Sequence, residues 1–263
     1  MSANGADVHG RLAIVTGASR GLGKAIAQEF LQQGVSILGV ARSFSDSELL
    51  ALRSSEATAA TFTPCLADVT KADDIARIIE AAKSTKLPLI ALVNNAGTLD
   101  PISKLADLDA DAWRLNFEVN VVAVVALTQR ALPMLRETRG RVINISSGAA
   151  THAYQGWAAY CASKAALNMV TQSMAMEEPE VVAVAVRPGV VDTDMQAVIR
   201  SVGQQSMRTD QFAKFQALHD EGALLPPKVP ARVIVRLALE APKSLSGMFV
   251  SWDSAEIERQ LAK

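Results

Sequence analysis

Three side chains in the middle of the chain have the types and spacing needed for proton transfer to a carbonyl oxygen: Ser147, Tyr160 and Lys164. Tyr160 and Lys164 stand four residues apart at the start of a predicted helix, so both project from one face of it. A nearby ammonium group favours the tyrosinate, so we expect Lys164 to lower the phenol pKa from its reference value near 10. Ser146 and Ser147 close the fifth predicted strand, and a hydroxyl there could hold the carbonyl oxygen while Tyr160 exchanges the proton.

A glycine-rich loop, TGASRGLG at residues 16–23, joins the first predicted strand to the helix after it. Gly17 suits the tight turn, whereas Gly21 and Gly23 let the backbone approach a diphosphate and let the helix pack closely on the strand. The helix N-terminus then presents free N–H groups and the positive end of its dipole. The spacing is one residue off the usual G-x-G-x-x-G, and an ordinary glycine-rich turn is the alternative. The predicted cofactor contacts from this loop are Gly17, Ser19, Arg20, Gly21, Leu22 and Gly23.

The end of the second predicted strand indicates which dinucleotide would bind. An acidic residue there would bind the adenosine ribose 2′-hydroxyl of NAD, but this chain has Ala41, Arg42 and Ser43 instead. Arg42 and Arg20 can each pair with a 2′-phosphate, because the planar guanidinium fork matches phosphate oxygens. We therefore expect NADP(H), with Arg42 and Ser43 among its contacts. The alternative is that Arg42 is only a solvated charge at a strand end.

Two further strand ends could contact the same cofactor. Asp68 and Val69 follow the third predicted strand, where a side chain could bind the adenine amino group, although a helix N-cap is equally open for Asp68. Asn94, Ala96 and Gly97 end the fourth predicted strand, where small and amide residues let the backbone pass beside a cofactor. For the asparagine, ordinary turn chemistry is the alternative.

Short apolar runs alternate with helical patterns along almost the whole chain. Most runs lack two-residue alternation, which indicates strands buried on both faces of a parallel sheet. The alternation predicts an α/β fold: a single doubly wound Rossmann domain over residues 1–263, with a seven-stranded parallel sheet and helices on both faces. The predicted strands are Leu12–Thr16, Ser36–Ala41, Thr61–Ala67, Leu89–Asn94, Arg141–Ser146, Val181–Arg187 and Met248–Trp252. The predicted helices are Leu22–Gln33, Asp46–Arg53, Ala72–Lys83, Asp111–Arg136, Ala158–Glu178 and Ala231–Glu240.

Glycines and prolines mark where several of these elements should end. Gly34 is expected to stop the first helix, and Pro133 and Pro179 are expected to mark turns or helix ends. The stretch 190–228 breaks the alternation, so we predict an insertion over one edge of the sheet. Within it, Asp194 to Leu225 is a candidate lid over a substrate.

Composition excludes several classes of protein. The chain has 263 residues, of which 49% are hydrophobic and 20% charged, so it is not disordered as a whole. Its net charge of -1 gives no basic excess for nucleic acid or an anionic membrane. No apolar run reaches the roughly 18 residues of a membrane span, and Met1 to Gly10 lacks a signal-peptide pattern. We therefore expect no membrane or nucleic-acid partner. The two cysteines show no disulfide framework, so a reducing, cytoplasmic setting is expected, and neither they nor the three histidines have metal-site spacing, so no metal is expected.

Taken together, the motifs resemble the short-chain dehydrogenase/reductase family over residues 12–252. The matching pieces are TGASRGLG, NNAG, the asparagine of FEVN, ISS, YCASK and RPGVVDT. The resemblance implies that Ser147 orients the substrate, that Tyr160 is the acid/base, and that Lys164 binds the nicotinamide ribose hydroxyls. It implies that Asn120 holds a water linking Lys164 to solvent, although Asn120 could also be a polar residue tolerated in an apolar helix. The segment beside the nicotinamide carboxamide would contain Pro188, Gly189, Val191 and Thr193.

Finer resemblance is to sepiapterin reductases and the related reductases of benzil and other diketones. It is carried by the run DTDMQ at residues 192–196, the long segment after it and the ending SGMFV. In sepiapterin reductases a C-terminal aspartate anchors the pterin, and Asp253 lies one residue away from that place in the alignment. The substrate wall is expected to use large side chains, although plain core is the alternative for each; they are Leu99, Tyr154, Trp157 and Met195. His152 lies nearby in sequence but is expected to be structural.

These expectations define a reaction. We expect NADPH-dependent transfer of a hydride to a small ketone or diketone, giving the secondary alcohol. The alternatives are a 3-oxoacyl reductase or a polyol dehydrogenase of the same family, or a catalytically silent NADP(H)-sensing protein. A homodimer or homotetramer is expected, because the predicted helices Asp111–Arg136 and Ala158–Glu178 are apolar over much of their circumference. In the family, these two helices commonly pair between subunits.

Overall fold

The computed structural model describes residues 10–55 and 60–261, and these residues contain one seven-stranded sheet whose neighbouring strands all run parallel. All seven predicted strands are present, with ends shifted by no more than one residue. They are β1 (Leu12–Thr16), β2 (Ser36–Ala41), β3 (Phe62–Leu66), β4 (Leu89–Asn94), β5 (Arg141–Ile145), β6 (Val182–Arg187) and β7 (Phe249–Ser251). The strand order is β3-β2-β1-β4-β5-β6-β7, so the direction of winding reverses between β1 and β4. The predicted α/β fold is confirmed. The predicted domain also includes residues 1–9, 56–59 and 262–263, which lie outside the described residues. Most of the stretch Met1 to Gly10, whose sequence lacks a signal-peptide pattern, lies there too.

Helices cover both faces of this sheet. They are α1 (Gly21–Gln32), α2 (Asp46–Arg53), α3 (Ala72–Ser84), α4 (Ala110–Phe117), α5 (Ala123–Thr138), α6 (Ala158–Glu177), α7 (Asp194–Val202), α8 (Thr209–Asp220), α9 (Lys228–Glu240) and α10 (Ala255–Leu261). Successive residues of a strand point to opposite faces, so β1 contributes to two cores. Ala13 and Val15 pack in the core beneath α1 and α9, whereas Leu12 and Ile14 pack in the core beneath α3 and α5. This explains why the strand runs are apolar without alternation.

One long helical segment, Ala110–Thr138, combines α4, a π-helical turn at Glu118–Val122, and α5. By length and hydropathy alone it could cross a membrane, and it is the one helix in the described part of the chain that passes this test. In this fold α5 packs against β4 and α3, and α4 packs against α6. The segment therefore forms part of the helical layer that covers the sheet.

Pro133 lies inside α5, so the prediction that it marks a turn or helix end is wrong. Proline leaves the carbonyl of Gln129 without its helical N–H partner. Both residues are exposed, so water can bind that carbonyl and the helix tolerates the interruption. Pro179 does follow the end of α6, and Gly34 follows α1 with a φ of 77°.

The stretch 190–228 contains α7 and α8, which the sequence patterns did not predict as helices. The base of this segment is closed by a bridge between Val191 and Leu225, and α7 packs against α8. Residues from both helices face the carboxyl ends of the strands. The segment is thus placed to wall the cleft described next. The short C-terminal helix α10 was also not predicted.

Candidate active site

A cleft of about 290 Å³ lies at the carboxyl ends of the central strands. Its walls come from the segments that follow β1, β4, β5 and β6, together with α6, α7 and α8. The cleft includes the point between β1 and β4 where the winding reverses, which is where ligands bind in open α/β sheets. Sixteen of the predicted site residues line it: Arg20, Gly21, Leu22, Gly23, Gly97, Leu99, Ser147, Tyr154, Trp157, Tyr160, Lys164, Pro188, Gly189, Val191, Thr193 and Met195.

Ser147 and Tyr160 meet inside this cleft. Tyr160 projects from the first turn of α6 and is 7% exposed, and its hydroxyl forms a hydrogen bond with Ser147. Ser147 Oγ also accepts a hydrogen bond from the Ala149 backbone N–H at 3.1 Å, which orients its side chain. The neighbouring hydroxyl of Ser146 donates instead to Asn168 Oδ1 on α6 at 2.6 Å. Ser147 is therefore the serine whose hydroxyl stands beside Tyr160.

Lys164 lies one helical turn after Tyr160 and is 4% exposed. Its Nζ donates a hydrogen bond to the Ile145 carbonyl at 2.8 Å and lies 5.7 Å from the centre of the Tyr160 ring. Burial disfavours the ammonium form and lowers the pKa of Lys164 to about 8. The Ile145 contact anchors the ammonium group at the end of β5.

Burial raises the pKa of Tyr160 to about 12, and the hydrogen bond with Ser147 offsets only part of this rise. This direction is opposite to the lowering expected from Lys164, which is not among the causes of the shift. The phenol has lost its hydration, and the Lys164 ammonium, whose own pKa is lowered, is held by a backbone carbonyl. Tyr160 is consequently a neutral phenol at physiological pH, which is the form that can donate a proton.

Asn120 lies in the π-helical turn and is completely buried. Its side-chain amide forms two hydrogen bonds with the Thr98 backbone: Oδ1 accepts from the N–H at 2.9 Å, and Nδ2 donates to the carbonyl at 2.8 Å. It also donates to Asn116 Oδ1 and Ser163 Oγ. A Cβ at Gly97 would lie 3.1 Å from Asn120 Oδ1 and 3.5 Å from Lys164 Nζ, so the space left by that glycine adjoins both groups. The predicted water relay stays a prediction, and the structure gives Asn120 a positioning role for the loop after β4.

The glycine loop has the close packing that a diphosphate site requires. A Cβ at Gly23 would lie 2.1 Å from the Gly17 carbonyl oxygen, and Gly17 has a φ of 66°. Helix α1 begins at Gly21 with Arg20 as its N-cap, and the Arg20 side chain does not cap it. The N–H groups of the first turn therefore remain available to phosphate oxygens. This cradle fits the diphosphate of a dinucleotide.

Asn95 is a site residue that received no role from the sequence. Its Nδ2 donates to the carbonyls of Thr16 and Gly17, at 2.9 Å and 3.3 Å, and its backbone N–H donates to Thr16 Oγ1. These bonds fasten the loop after β4 to the glycine loop. Its place in the NNAG motif was visible in the sequence, but its partners lie almost 80 residues away along the chain.

The two arginines proposed for the 2′-phosphate have different surroundings. Arg20 forms an ion pair with Asp194 at 3.1 Å, across the mouth of the cleft, and both side chains are about two-thirds exposed. Arg42 is exposed at the end of β2 and forms no ion pair with any residue in the ranges 10–55 and 60–261. It lies near Asp68, whose pKa is lowered chiefly by the Thr70 N–H bond and further by Arg42. Arg42 is thus the freer cation, with Ser43 exposed beside it.

Two predicted contacts have structural roles. Asp68 accepts from the Thr70 N–H and hydroxyl, while Lys71 is the N-cap of α3, so the N-cap alternative for Asp68 is wrong. The amide of Asn94 is buried and donates to Thr128 Oγ1 and Asn144 Oδ1, which ties β4 to α5 and β5. Its side chain is committed to the core, so turn chemistry does not account for it either. The predicted residues outside the main cleft are Gly17, Ser19, Arg42, Ser43, Asp68, Val69, Asn94, Ala96 and Asn120; Val69, Asn94 and Ala96 line a small neighbouring depression.

The predicted substrate wall forms an aromatic cluster. The Trp157 ring centre lies 4.7 Å from that of Tyr154 and 5.2 Å from that of Phe215 on α8. Leu99 and Met195 complete the predicted set, and all four predicted side chains both line the cleft and belong to or pack against one small core. These four side chains therefore belong both to a core and to the wall of the cleft, and their contact with a substrate stays a prediction. Sequence reasoning missed several other lining residues: Arg187, Gln196, Ile199, Lys214 and Phe215.

A signal existed for only some of these missed residues. Arg187 directly precedes Pro188 in a recognised motif, and Lys214 and Phe215 lie inside the predicted lid. Their approach to the cleft depends on how α7 and α8 fold over it. His152 is exposed and bonded to Thr151, and Asp253 accepts a hydrogen bond from Ser251; neither lines the cleft. Within the described ranges, no three His, Cys, Asp or Glu side chains form a group that could hold a metal.

Comparison with known proteins gives the family. The family model for short chain dehydrogenases matches residues 11–203. The benzil reductase ((S)-benzoin forming) of Saccharomyces cerevisiae is 34% identical over 94% of this chain and 98% of its own length. The sepiapterin reductase of Rattus norvegicus is 33% identical over 85% of this chain and 89% of its own. The resemblance to both kinds of reductase is confirmed.

Among solved structures, one similar chain is a candidate NAD(P) dependent gluconate 5-dehydrogenase from Beutenbergia cavernae. It superposes with a TM-score of 0.78 at 26% identity, covering 94% of this chain and 96% of its own. That crystal structure contains NADP at low occupancy. The same fold in that relative therefore accommodates the dinucleotide expected here.

Proposed function

The chain belongs to the short chain dehydrogenase family of oxidoreductases, and from that premise we propose that it is an NADPH-dependent carbonyl reductase. Its substrate would be a small ketone or 1,2-diketone, and its product the secondary alcohol. The observation that carries the proposal is the meeting of Ser147, Tyr160 and Lys164 in one cleft with an uncapped helix N-terminus and an aromatic wall. The family uses NAD(P)(H), so the choice of NADPH rests on Arg42 and on the NADP-containing relative.

The residues around the cleft divide the binding of the dinucleotide among them. The glycine loop and the first turn of α1 would hold the diphosphate, and Arg42 would pair with the 2′-phosphate. Lys164 would bind the nicotinamide ribose hydroxyls, and the segment Pro188 to Thr193 would lie beside the carboxamide. When bound, NADPH supplies the hydride for the carbonyl carbon.

The protein's own side chains bind the carbonyl oxygen of the substrate and transfer a proton to it. Ser147 donates a hydrogen bond to the substrate carbonyl oxygen, and Tyr160 gives that oxygen its proton. Burial supports this role because it keeps the Tyr160 phenol protonated in the free site. The proton would be replaced through Lys164 and a water held near Asn120; both side chains lie close to Gly97.

The shape of the wall favours aromatic or vicinal dicarbonyl substrates. The rings of Tyr154, Trp157 and Phe215 form a continuous surface against which a flat, apolar substrate can stack. Asp253 does not line the cleft, so anchoring of a pterin by this residue has no support among the described contacts. The benzil reductase relatives are therefore the better guide to substrate than the sepiapterin reductases.

The first experiment measures the loss of NADPH absorbance with benzil, sepiapterin and a 3-oxoacyl thioester, using NADH as the cofactor control. The proposal expects benzil reduction with NADPH and a fall of about 10²- to 10⁴-fold in kcat for Tyr160→Phe, because a general acid has been removed. NADPH binding by Tyr160→Phe, followed by nucleotide fluorescence, checks that the cleft is intact.

The other outcomes each point elsewhere. Preferred turnover of the thioester, or oxidation of polyols only, would replace the proposal with a 3-oxoacyl reductase or a polyol dehydrogenase. Tight NADPH binding without turnover on any substrate would favour the sensing protein. Better activity with NADH would contradict the interpretation of Arg42.

Assembly and location are further parts of the proposal. Apolar side chains remain 44% to 60% exposed at Leu115, Val122 and Val125 on the α4–α5 segment and at Met169 on α6. A second copy of the chain would cover them, giving a homodimer or homotetramer. Both cysteines, Cys65 and Cys161, are free, which suits a reducing cytoplasmic setting.

A further inference from the structure

The charged side chains that line the cleft are unevenly balanced. Four are basic (Arg20, Lys164, Arg187 and Lys214), whereas Asp194 is the single acidic one. Arg20 is paired with Asp194, and Lys164 is bonded to the Ile145 carbonyl. Arg187 and Lys214 make no side-chain hydrogen bond or ion pair with any residue in the described ranges. Arg187 and Lys214 are therefore the two cationic side chains of the cleft that remain available to bind an anionic ligand.

Arg187 lies next to the serine that holds the carbonyl. It ends β6, and its Nε and Cζ lie 3.3 Å and 3.5 Å from where a Cβ on Gly148 would stand. Gly148 directly follows Ser147, so the guanidinium packs over the same short loop that presents the Ser147 hydroxyl. An acidic group close to a carbonyl bound at Ser147 would thus lie close to a free guanidinium.

Lys214 reaches the cleft from α8. It precedes Phe215 on α8, and the Phe215 ring packs on Trp157 in the aromatic wall. Its side chain is exposed and lines the cleft. Two cations flanking an apolar surface attract an anion more strongly than either would in open water, because low-dielectric walls focus the field.

We propose that the cleft takes carbonyl substrates bearing a carboxylate directly on the ketone carbon, that is, 2-oxo acids with an aromatic or apolar side chain. Arg187 binds the carboxylate and Lys214 adds attraction at the mouth; this rests on the carbonyl reductase function proposed above. The guanidinium fork matches two carboxylate oxygens, and the apolar remainder packs on the aromatic wall. In the reaction the ketone carbon gains a hydride from NADPH, which becomes NADP⁺. The oxygen gains a proton from Tyr160, so the product is the 2-hydroxy acid.

The test compares benzoylformate with its methyl ester, which present the same aryl ketone with and without the negative charge. The wild-type protein should show a higher kcat/KM with the acid than with the ester, mostly because KM is lower. Added salt should lower kcat/KM for the acid and leave that for the ester unchanged. Arg187→Met should lower the ratio of acid to ester kcat/KM by about 10- to 100-fold, because a charge-assisted hydrogen bond is lost. Arg187→Lys should restore part of it, and Lys214→Met should lower the ratio by a smaller factor.

The control variant is Lys228→Met, which removes an exposed lysine that does not line the cleft and should leave the ratio unchanged. A second readout does not depend on turnover. Calorimetry measures the affinity of the NADP⁺-loaded protein for benzoate and compares it with the affinity for neutral benzamide. Benzoate should bind more tightly, and the preference should fall in Arg187→Met.

An unchanged acid-to-ester ratio in Arg187→Met, or ester reduction without acid reduction, would overturn the 2-oxo acid proposal while leaving the carbonyl reductase standing. Failure of benzil, the ester and the acid alike with NADPH would instead count against the reductase itself. The two failures are therefore distinguishable in one set of assays.

Discussion

At the scale of single residues, burial decides the protonation of Tyr160 and Lys164 in the cleft. Tyr160 and Lys164 have both lost their hydration, so each prefers its neutral form more than it would in water. For Tyr160 the neutral form is the proton donor that ketone reduction requires. For Lys164 the neutral form lacks the charge that the proton relay needs.

A pH profile checks this assignment. Since the pKa of Lys164 is lowered to about 8, its ammonium is lost as the pH rises through 8, while Tyr160 with a pKa of about 12 stays protonated. We expect kcat/KM for ketone reduction to be flat near neutrality and to fall above about pH 8, because kcat/KM reports the free enzyme. A profile that stays flat to about pH 10 would contradict the role given to Lys164. In Lys164→Arg, which keeps its charge, the residual activity should lose this break.

A second residue-scale prediction concerns the cofactor. Arg42 has no ion-pair partner among residues 10–55 and 60–261, so Arg42→Ala should weaken NADPH binding and leave NADH binding nearly unchanged. A charge-assisted contact to the 2′-phosphate is worth about 1.5–3 kcal/mol, which is roughly a 10- to 100-fold change in Kd. Equal loss for both dinucleotides would mean that Arg42 does not read the 2′-phosphate. Arg53→Ala, on the exposed end of α2, is the matched control.

At the scale of elements, close packing between α1 and the glycine loop positions the diphosphate cradle. The helix can approach so closely because Gly23 has no side chain, and its buried face packs in the core beneath the sheet. The loop and the helix are therefore one unit, and changes in either should be felt as weaker cofactor binding or lower stability.

Gly23→Ala tests the cradle. Its Cβ would lie 2.1 Å from a backbone oxygen, so the start of α1 must move away from the loop. We expect NADPH affinity to fall at least about tenfold, with a smaller loss of stability, because the first-turn N–H groups no longer converge on the phosphates. Thermal unfolding measured beside the NADPH titration separates the two effects. Wild-type affinity in Gly23→Ala would show that the diphosphate binds elsewhere.

The buried face of α1 gives a stability prediction with a matched control. Leu31 is completely buried in that face, whereas Leu50 on α2 is 71% exposed. Leu31→Ala should lower the free energy of unfolding by about 2–5 kcal/mol, because it loses buried apolar area and leaves a cavity. Leu50→Ala should change it by no more than about 0.5 kcal/mol. Denaturant titration of both variants makes the comparison, and similar losses would contradict the placement of α1.

At the scale of the whole molecule, the α4–α5 segment carries an exposed apolar face that packing within the single chain does not explain. By composition it could cross a membrane, yet it packs against β4, α3 and α6 through its other face. A second copy of the chain is the occupant we propose for the exposed side chains.

Replacing Val122 and Val125 with Glu tests this assembly. These side chains are 48% and 44% exposed, so charges there should be tolerated by the fold but should prevent a second subunit from packing on them. We expect the wild-type protein to have a dimeric or tetrameric mass by light scattering and the double variant a lower one. Leu50→Glu, which is exposed on a different helix, should keep the wild-type mass. A monomeric wild-type protein would contradict the proposal outright.

Local patterns in the amino-acid sequence were enough to predict the seven strands, the glycine loop and the pair Tyr160 and Lys164, and the resemblance to the family selected Ser147 rather than Ser146. Strand burial, tight turns and helical spacing depend on residues that are close in sequence, so they can be predicted without knowing which distant residues each element contacts. Only the tertiary structure decided that Tyr160 has a raised pKa, that the Asn94 amide belongs to the core, and that Pro133 sits within a helix. Only the tertiary structure places Arg187 beside Gly148, because the two residues are about 40 positions apart in the sequence. Hydration, burial and pairing depend on which distant segments come together, and that is a property of the packed fold.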